Sequence, residues 1–339
     1  MRTAVVILNW NGKDFLRKFL PSVLMHNPSG VRIIVADNDS RDDSVEMLNR
    51  EFPQVEIIQN KSNGGFAKGY NDALKQVDAD YFILLNSDIE VTTGWIDPII
   101  KLMESDHDIA ACQPVIRSYH SKESFEYAGA AGGFIDEYGY PFCRGRLFQN
   151  IEVDLGQYDD TREIFWATGA CLFVRADLFR EHGGFDEDFF AHMEEIDFCW
   201  RMKHLGYKIM VCPESKVYHV GGGTLPKKSS FKTYLNMRNN ITLLYKNLPS
   251  ERLAFVFFSR LVLDGVAAFK FLIDGGFGDF WAVVRAHMSF YRNFHKHKYK
   301  RTLIKHRHVS QVYMGNIVID YFLRGMKNFS RIPEDKFTK

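Results

Sequence analysis

The residues whose types and spacing could do chemistry are acids that end apolar runs, and one histidine that precedes glycines. Residues 81–91 read Y-F-I-L-L-N-S-D-I-E-V, an apolar run that stops at Asn86, Ser87 and Asp88. Such a run, bounded by polar residues, suits a strand buried on both faces. Open α/β sheets bind ligands beyond the carboxyl edge of such strands. Asp88 is therefore a candidate ligand for a divalent cation that carries a substrate phosphate, the competing reading being a polar residue that starts a turn. A second run, 31–36, ends in Asp37-Asn38-Asp39-Ser40. These acids either face a ligand or cap the helical stretch that follows. Glu194, Glu195 and Asp197 crowd the first turn of another helical pattern, where the helix dipole tolerates acids. His219 stands before Gly221-Gly222-Gly223, a combination suited to closing over phosphate.

The elements that must position these groups alternate. Apolar strands are expected at 3–8, 31–36, 56–59 and 81–85, with helices over 13–25 and 42–51 and another entered through Asn63-Gly64-Gly65. Strand and helix in alternation predict a parallel sheet wrapped by helices, with the polar strand ends gathered on one edge. A helix at 95–103 and strands at 109–115 and through 174 follow, then a helix from about His192 to His204. Residues 117–162, rich in Gly, Tyr and Phe, read as long loops or a small hairpin over that edge.

A chain of 339 residues suits one α/β domain with a C-terminal appendage, divided here as 1–248 and 249–339. The net charge of +1 argues against a dedicated nucleic-acid binder. Five scattered cysteines without a C-x-x-C pair read as reduced, mostly buried thiols of a cytosolic protein, and no secretory signal is visible. The glycines spell neither G-x-G-x-x-G after the first strand nor a P-loop, which disfavours both dinucleotide and P-loop sites.

Four stretches in order carry a resemblance: Asn9-Trp-Asn-Gly, Asp37-Asn-Asp39-Ser40, Asn63-Gly-Gly-Phe-Ala-x-Gly69-x-Asn71, and Leu-Leu-Asn86-Ser87-Asp88. Together they resemble the family-2 inverting glycosyltransferases of the GT-A fold, more narrowly the rhamnosyltransferase-like branch that builds bacterial surface polysaccharides. The resemblance runs to about Lys246. It implies a Rossmann-like, mostly parallel central sheet flanked by helices, with a helical C-terminal extension. It places Asp37 on the base of a nucleoside diphosphate sugar (dTDP- or UDP-linked), and Asp39 near base and ribose. Asn9, Asn63, Gly65, Asn86 and Ser87 line the same nucleotide-sugar site, and Arg238 touches phosphate or holds the loop. Asp88 matches the last acid of the D-x-D metal motif, whose first acid is here Asn86, and His219 joins it on Mg²⁺ or Mn²⁺. A carboxylate suits the imide N–H of uracil or thymine, and a departing diphosphate suits such a cation.

In the stretch Gly183-Gly-Phe-Asp-Glu…Glu194-Glu195-Ile-Asp197…Arg201, the family's central acid, the general base, falls on Glu195, with Glu194 in reserve. Trp166, Thr168, Gly169 and Asp197 fall beside the acceptor. Trp166 offers a flat face for a sugar ring, or else packs in the core.

Beyond Pro249 the chain turns apolar over 253–273, interrupted by Arg260, Asp264 and Lys270, and then basic over 292–308. Charges at those positions make a spanning helix unsuitable. The helix either packs on the domain or lies in a membrane interface, and the basic stretch suits anionic headgroups or a solvated face. The expected protein is a cytoplasmic glycosyltransferase, with peripheral contact to the inner membrane. It moves a sugar such as rhamnose to a glycan or polyprenyl-linked acceptor. The alternative is a non-catalytic nucleotide-sugar-binding scaffold or regulator of a polysaccharide complex. A nucleotidyltransferase would need a basic Gly-rich signature near the first strand, which is missing.

Overall fold

The computed structural model describes residues 2–221 and 229–339. The first half runs Thr3–Asn9 (β1), Lys13–Met25 (α1), Val31–Asp37 (β2), Ser44–Glu51 (α2), Glu56–Gln59 (β3), Gly65–Leu74 (α3), Tyr81–Asn86 (β4), Ile89–Val91 (β5), Asp97–Ser105 (α4) and Ile109–Ser118 (β6). Four short strands follow, Gly133–Asp136 (β7), Pro141–Cys143 (β8), Arg146–Leu147 (β9) and Asn150–Ile151 (β10). Then come Arg162–Ile164 (β11), Cys171–Arg175 (β12), Ala176–Glu181 (α5), Glu194–His204 (α6) and Lys208–His219 (β13). The chain ends through Ser230–Asn247 (α7), Ser250–Ile273 (α8), Phe277–Arg292 (α9), Phe294–Thr302 (α10), Val312–Tyr313 (β14) and Ile317–Phe322 (α11).

The main sheet has the order β11-β13-β6-β12-β4-β1-β2-β3, with β5 on β13. Strands β4, β1, β2 and β3 are parallel, as the alternation of elements requires, whereas β12 enters antiparallel between β4 and β6. Alternate residues serve opposite faces. Ala4, Val6, Phe82 and Leu84 join one core, and Val5, Ile7, Ile83 and Leu85 join the other. Both faces of β1 and β4 are covered, so their sequences read as unbroken apolar runs rather than alternating ones. Register then fixes the edge: Asn9 pairs with Asp37, and Leu8 with Asn86, so three strand ends stop at one level.

Residues 117–162 depart from the expected loops. They form most of a second sheet, β10-β9-β8-β7-β14, whose last strand comes from the C-terminal tail. No strand in this sheet exceeds four residues, too short for periodicity to show. The helical C-terminal region is present, but its tail is not a separate body. Tyr313, Ile317, Phe329 and Phe337 return to the core that holds Phe134 and Phe142. All five cysteines are buried free thiols.

Candidate active site

At the end of β2, Asp37 is buried and held from both sides. Its Oδ1 accepts from Asn9 Nδ2 at 3.0 Å and its Oδ2 from the Ser40 N–H at 3.0 Å. Each carboxylate oxygen can still accept a second bond. Helix capping falls instead to Asp42, whose Oδ1 accepts from the Ser44 N–H at 3.1 Å. Asn9 is fully buried and orients Asp37, while its own Oδ1 has no partner. Asp39 is exposed in the left-handed region, φ +63°. Behind it runs an amide ladder that the sequence motifs did not single out: Asn38 Nδ2 donates to Asn63 Oδ1 at 2.9 Å and Asn60 Nδ2 to Asn38 Oδ1 at 3.1 Å. Asn63 Oδ1 also accepts from the Gly65 N–H at 2.9 Å, which sets the turn into α3.

Gly65 has φ +83°, and a Cβ there would run into the carbonyl and ring of Phe190. Gly65→Ala should therefore destabilise the fold by about 1–3 kcal/mol, read as a shifted midpoint in chemical denaturation. It should weaken binding of a nucleoside diphosphate sugar at the same time.

Asp88 follows β4 at the same edge, with Asn86 and Ser87 half-buried beside it. His219, the last residue of β13, puts Nε2 3.1 Å from Asp88 Oδ1. Its Nδ1 lies 3.3 Å from Glu126 Oε2, off the angle of a good hydrogen bond. Burial alone would lower the imidazole's pKa, but the two carboxylates push it up to about 10. Glu126 comes from the 117–162 segment, which had no periodic signal to single it out. Among the described residues no three His, Cys, Asp or Glu side chains form a ready cage. Asp88 thus offers an oxygen donor and His219, once a cation displaces the proton it shares with Asp88, a nitrogen donor, a set that fits Mg²⁺ or Mn²⁺ taking the rest of its shell from substrate oxygens. Of the Gly-rich turn, Gly222, Gly223 and Thr224 lie outside the described residues.

Glu194 and Glu195 open α6, two residues later than expected for the helix itself. The approach is unusual: Phe190, His192 and Met193 have φ of +64°, +71° and +74°. Asn239 of α7 holds this turn, its Nδ2 donating to the carbonyls of Phe189, Ala191 and His192 at 2.9, 2.8 and 2.7 Å. The Phe190 carbonyl accepts from the Ala67 N–H at 3.2 Å. Arg238 is committed here as well. Its Nη2 donates to the carbonyls of Asp188 and Phe189, both at 2.9 Å, so it holds the loop.

Glu195 remains partly exposed, yet its Oε2 is sealed without a partner. Burial pushes its carboxyl up to about 7 against nearby backbone N–H groups, those of Gly169 and Ile196 among them. Glu194 is buried deeper and lies well above the usual carboxylate range, through desolvation and the charge of Glu195. Gly169 links this pair to the metal-motif triplet. A Cβ on it would lie 3.9 Å from Glu195 Cβ, and the next residue, Ala170, accepts from the Asn86 N–H at 2.9 Å.

Three expected acceptor residues are structural instead. Trp166 is only 5 % exposed, with Nε1 donating to the Phe134 carbonyl at 2.9 Å and its ring against Gly133, so it packs in the core. Thr168 is buried, its N–H on Gln113 Oε1 and its hydroxyl oxygen accepting from the Ala170 N–H. Asp197 is fully buried between Arg201 at 3.0 Å and Lys246 at 2.9 Å.

Residues 4–183 match the family described as Glycosyl transferase family 2. The N-acetylglucosaminyl-diphospho-decaprenol L-rhamnosyltransferase of Mycobacterium tuberculosis is 26 % identical over 233 residues, 63 % of this chain and 75 % of that protein. Rhamnosyltransferase WbbL of Escherichia coli K12 is 24 % identical over 226 residues, 63 % of this chain and 82 % of that protein. Among solved structures, GalNAc-T7 with UDP, GalNAc and Mn²⁺ superposes with a TM-score of 0.56 at 16 % identity. That match covers 74 % of this chain and 48 % of GalNAc-T7. The mannosyltransferase PcManGT of Pyrobaculum calidifontis with GDP-Man and Mn²⁺ gives a TM-score of 0.53 at 13 % identity over 87 % of this chain and 75 % of that one. At these identities the structural likeness is one of fold.

Proposed function

The chain belongs to glycosyl transferase family 2, and on that premise we propose an inverting, metal-dependent transferase. It moves a sugar, rhamnose by the kinship of its relatives, from a dTDP- or UDP-linked donor to a lipid-linked glycan in bacterial surface polysaccharide synthesis. It works as a peripheral protein at the cytoplasmic membrane face. The observation that carries the reading is the convergence of Asp37, Asp88–His219 and Glu195 along one sheet edge, joined through Gly169–Ala170.

Asp37 accepts from the base, oriented by Asn9 and Ser40. The turn Asn63–Gly65 closes over the nucleotide. Asp88 and His219 would hold the cation, which when bound would supply positive charge to a departing diphosphate. Glu195 takes the proton from the acceptor hydroxyl as that oxygen attacks the anomeric carbon from the face opposite the diphosphate. A carboxyl with a pKa near 7 suits that task at neutral pH, whereas Glu194 stays protonated.

The test is donor turnover in Mn²⁺ by the native chain and by Asp88→Ala. Turnover should depend on the cation and fall at least about a hundredfold in the variant. Full activity of Asp88→Ala would remove the metal role. Donor binding without transfer to any acceptor or to water would favour a non-catalytic scaffold.

A further inference from the structure

Helix α8 is built inside out. Every fourth residue from Val256 faces inward, and two of these are a charged pair: Arg260 and Asp264 are buried and 3.0 Å apart. Arg260 also donates to the Tyr138 carbonyl at 3.2 Å and lies over the ring of Tyr140, while His287 of α9 stands 3.3 Å from Asp264. Two of the three charges that interrupt this apolar stretch are thus used inside the protein, and the third, Lys270, is exposed near the helix end beside Asp274. Outward, Phe255, Phe258, Val262, Val266, Phe269 and Ile273 recur at helical spacing, each more than half exposed. Between Glu251 and Lys270 every fully exposed residue is apolar. The helix is about 36 Å long at 1.5 Å per residue, so the stripe exceeds what a monomer ordinarily leaves in water. Nothing among the described residues covers it.

We propose that this stripe is a bilayer-docking surface. α8 lies in the plane of an anionic membrane with its outer face among the acyl chains. The inference rests on the reading of the acceptor as lipid-linked, and it names the partner that reading requires. Three observations favour a bilayer over a second protein. No described helix is long and apolar enough to cross a membrane, so α8 would lie along its surface. After the turn, Phe277 and Trp281 of α9 continue the exposed apolar surface, and a half-exposed tryptophan suits the headgroup boundary. The stretch that follows α9 is basic: no Asp or Glu occurs between Asp279 and Asp320, while Arg292, Lys298, Lys305 and Arg307 are exposed. That is charge complementarity to anionic headgroups.

The test is sedimentation of the full chain with vesicles of phosphatidylcholine alone or mixed with phosphatidylglycerol. The chain should pellet with the mixed vesicles and less so as salt is raised. Phe258→Ser with Phe269→Ser should weaken binding at least about tenfold, without lowering the melting temperature, because both rings face solvent. Should that variant not fold, brominated lipid provides a second reading. It should quench the native chain's fluorescence, and Trp281→Phe should lose most of that quenching. Absent vesicle binding, unchanged binding by the double variant, or self-association through the stripe would overturn the proposal. Vesicle binding without sugar transfer would overturn the catalytic reading and leave this one standing.

Discussion

Glu195→Gln is expected to lower kcat by roughly 10²–10⁴-fold while leaving donor affinity near its native value. The amide keeps the size of the carboxyl and loses its ability to take a proton. Glu194→Gln is expected to keep most of the activity, because burial and the neighbouring charge already hold Glu194 protonated. The native pH profile carries the same assignment. Desolvation raises the Glu195 pKa to about 7, so the base is protonated and idle below that pH. kcat/KM should rise as pH passes through about 7 and then level off. In Glu195→Gln that limb should vanish along with the rate. Initial rates across pH, with donor binding followed by calorimetry, check both statements. Native turnover by Glu195→Gln, or loss of the limb in Glu194→Gln alone, would move the base elsewhere.

Lys246→Met is expected to cost about 3–5 kcal/mol of stability. Lys246 is 3 % exposed and sits between two carboxylates, Asp186 at 2.5 Å and Asp197 at 2.9 Å. Lys300 still reaches Asp186, and Arg201 still reaches Asp197, but the charge between the two acids is gone. Burial alone would raise both carboxyls, and the cationic partners overcome it and hold them low, Lys246 foremost for each. Groups with depressed folded pKa values stabilise above the unfolded carboxylate range and lose that contribution as pH falls. The deficit of the variant should therefore be full at neutral pH and shrink in acid, where a proton can replace the missing ammonium. Denaturant titrations at neutral and acidic pH read the difference directly.

The parallel core of the fold was legible because its strands are buried on both faces. Unbroken apolar runs at β1, β4 and residues 33–36 of β2 need no periodicity to be read, and the polar residues that end them mark the edge. The second sheet was not legible. Its strands are two to four residues long, and β14 reaches β7 across the length of the chain. The site divides the same way. Asp37, Asp88, Glu195 and His219 belong to matched stretches. Asn239 stood beside Arg238 in a matched pair, whereas Glu126 and Asn60 act through partners distant in sequence and left no local signal. Trp166 shows the reverse failure: an aromatic next to a functional stretch invites a sugar, but only the neighbouring Gly133 reveals that its face is already taken. Arg238 had two roles open, and its bonds to two loop carbonyls are those of the loop-holding one.

The turn before Glu195 spends four consecutive carbonyls, three on Asn239 and that of Phe190 on Ala67. It is therefore tied at once to α7 and to the start of α3, and on the proposed reading this joins the turn that closes over the nucleotide to the turn that carries the base. The span between them acts as a gauge block. On that reading a donor with a bulkier sugar would find its room more readily among the side chains along that span than by moving a backbone so tied. Retuning this enzyme toward another sugar is accordingly a matter of resurfacing the interval, with both of its ends left as they are.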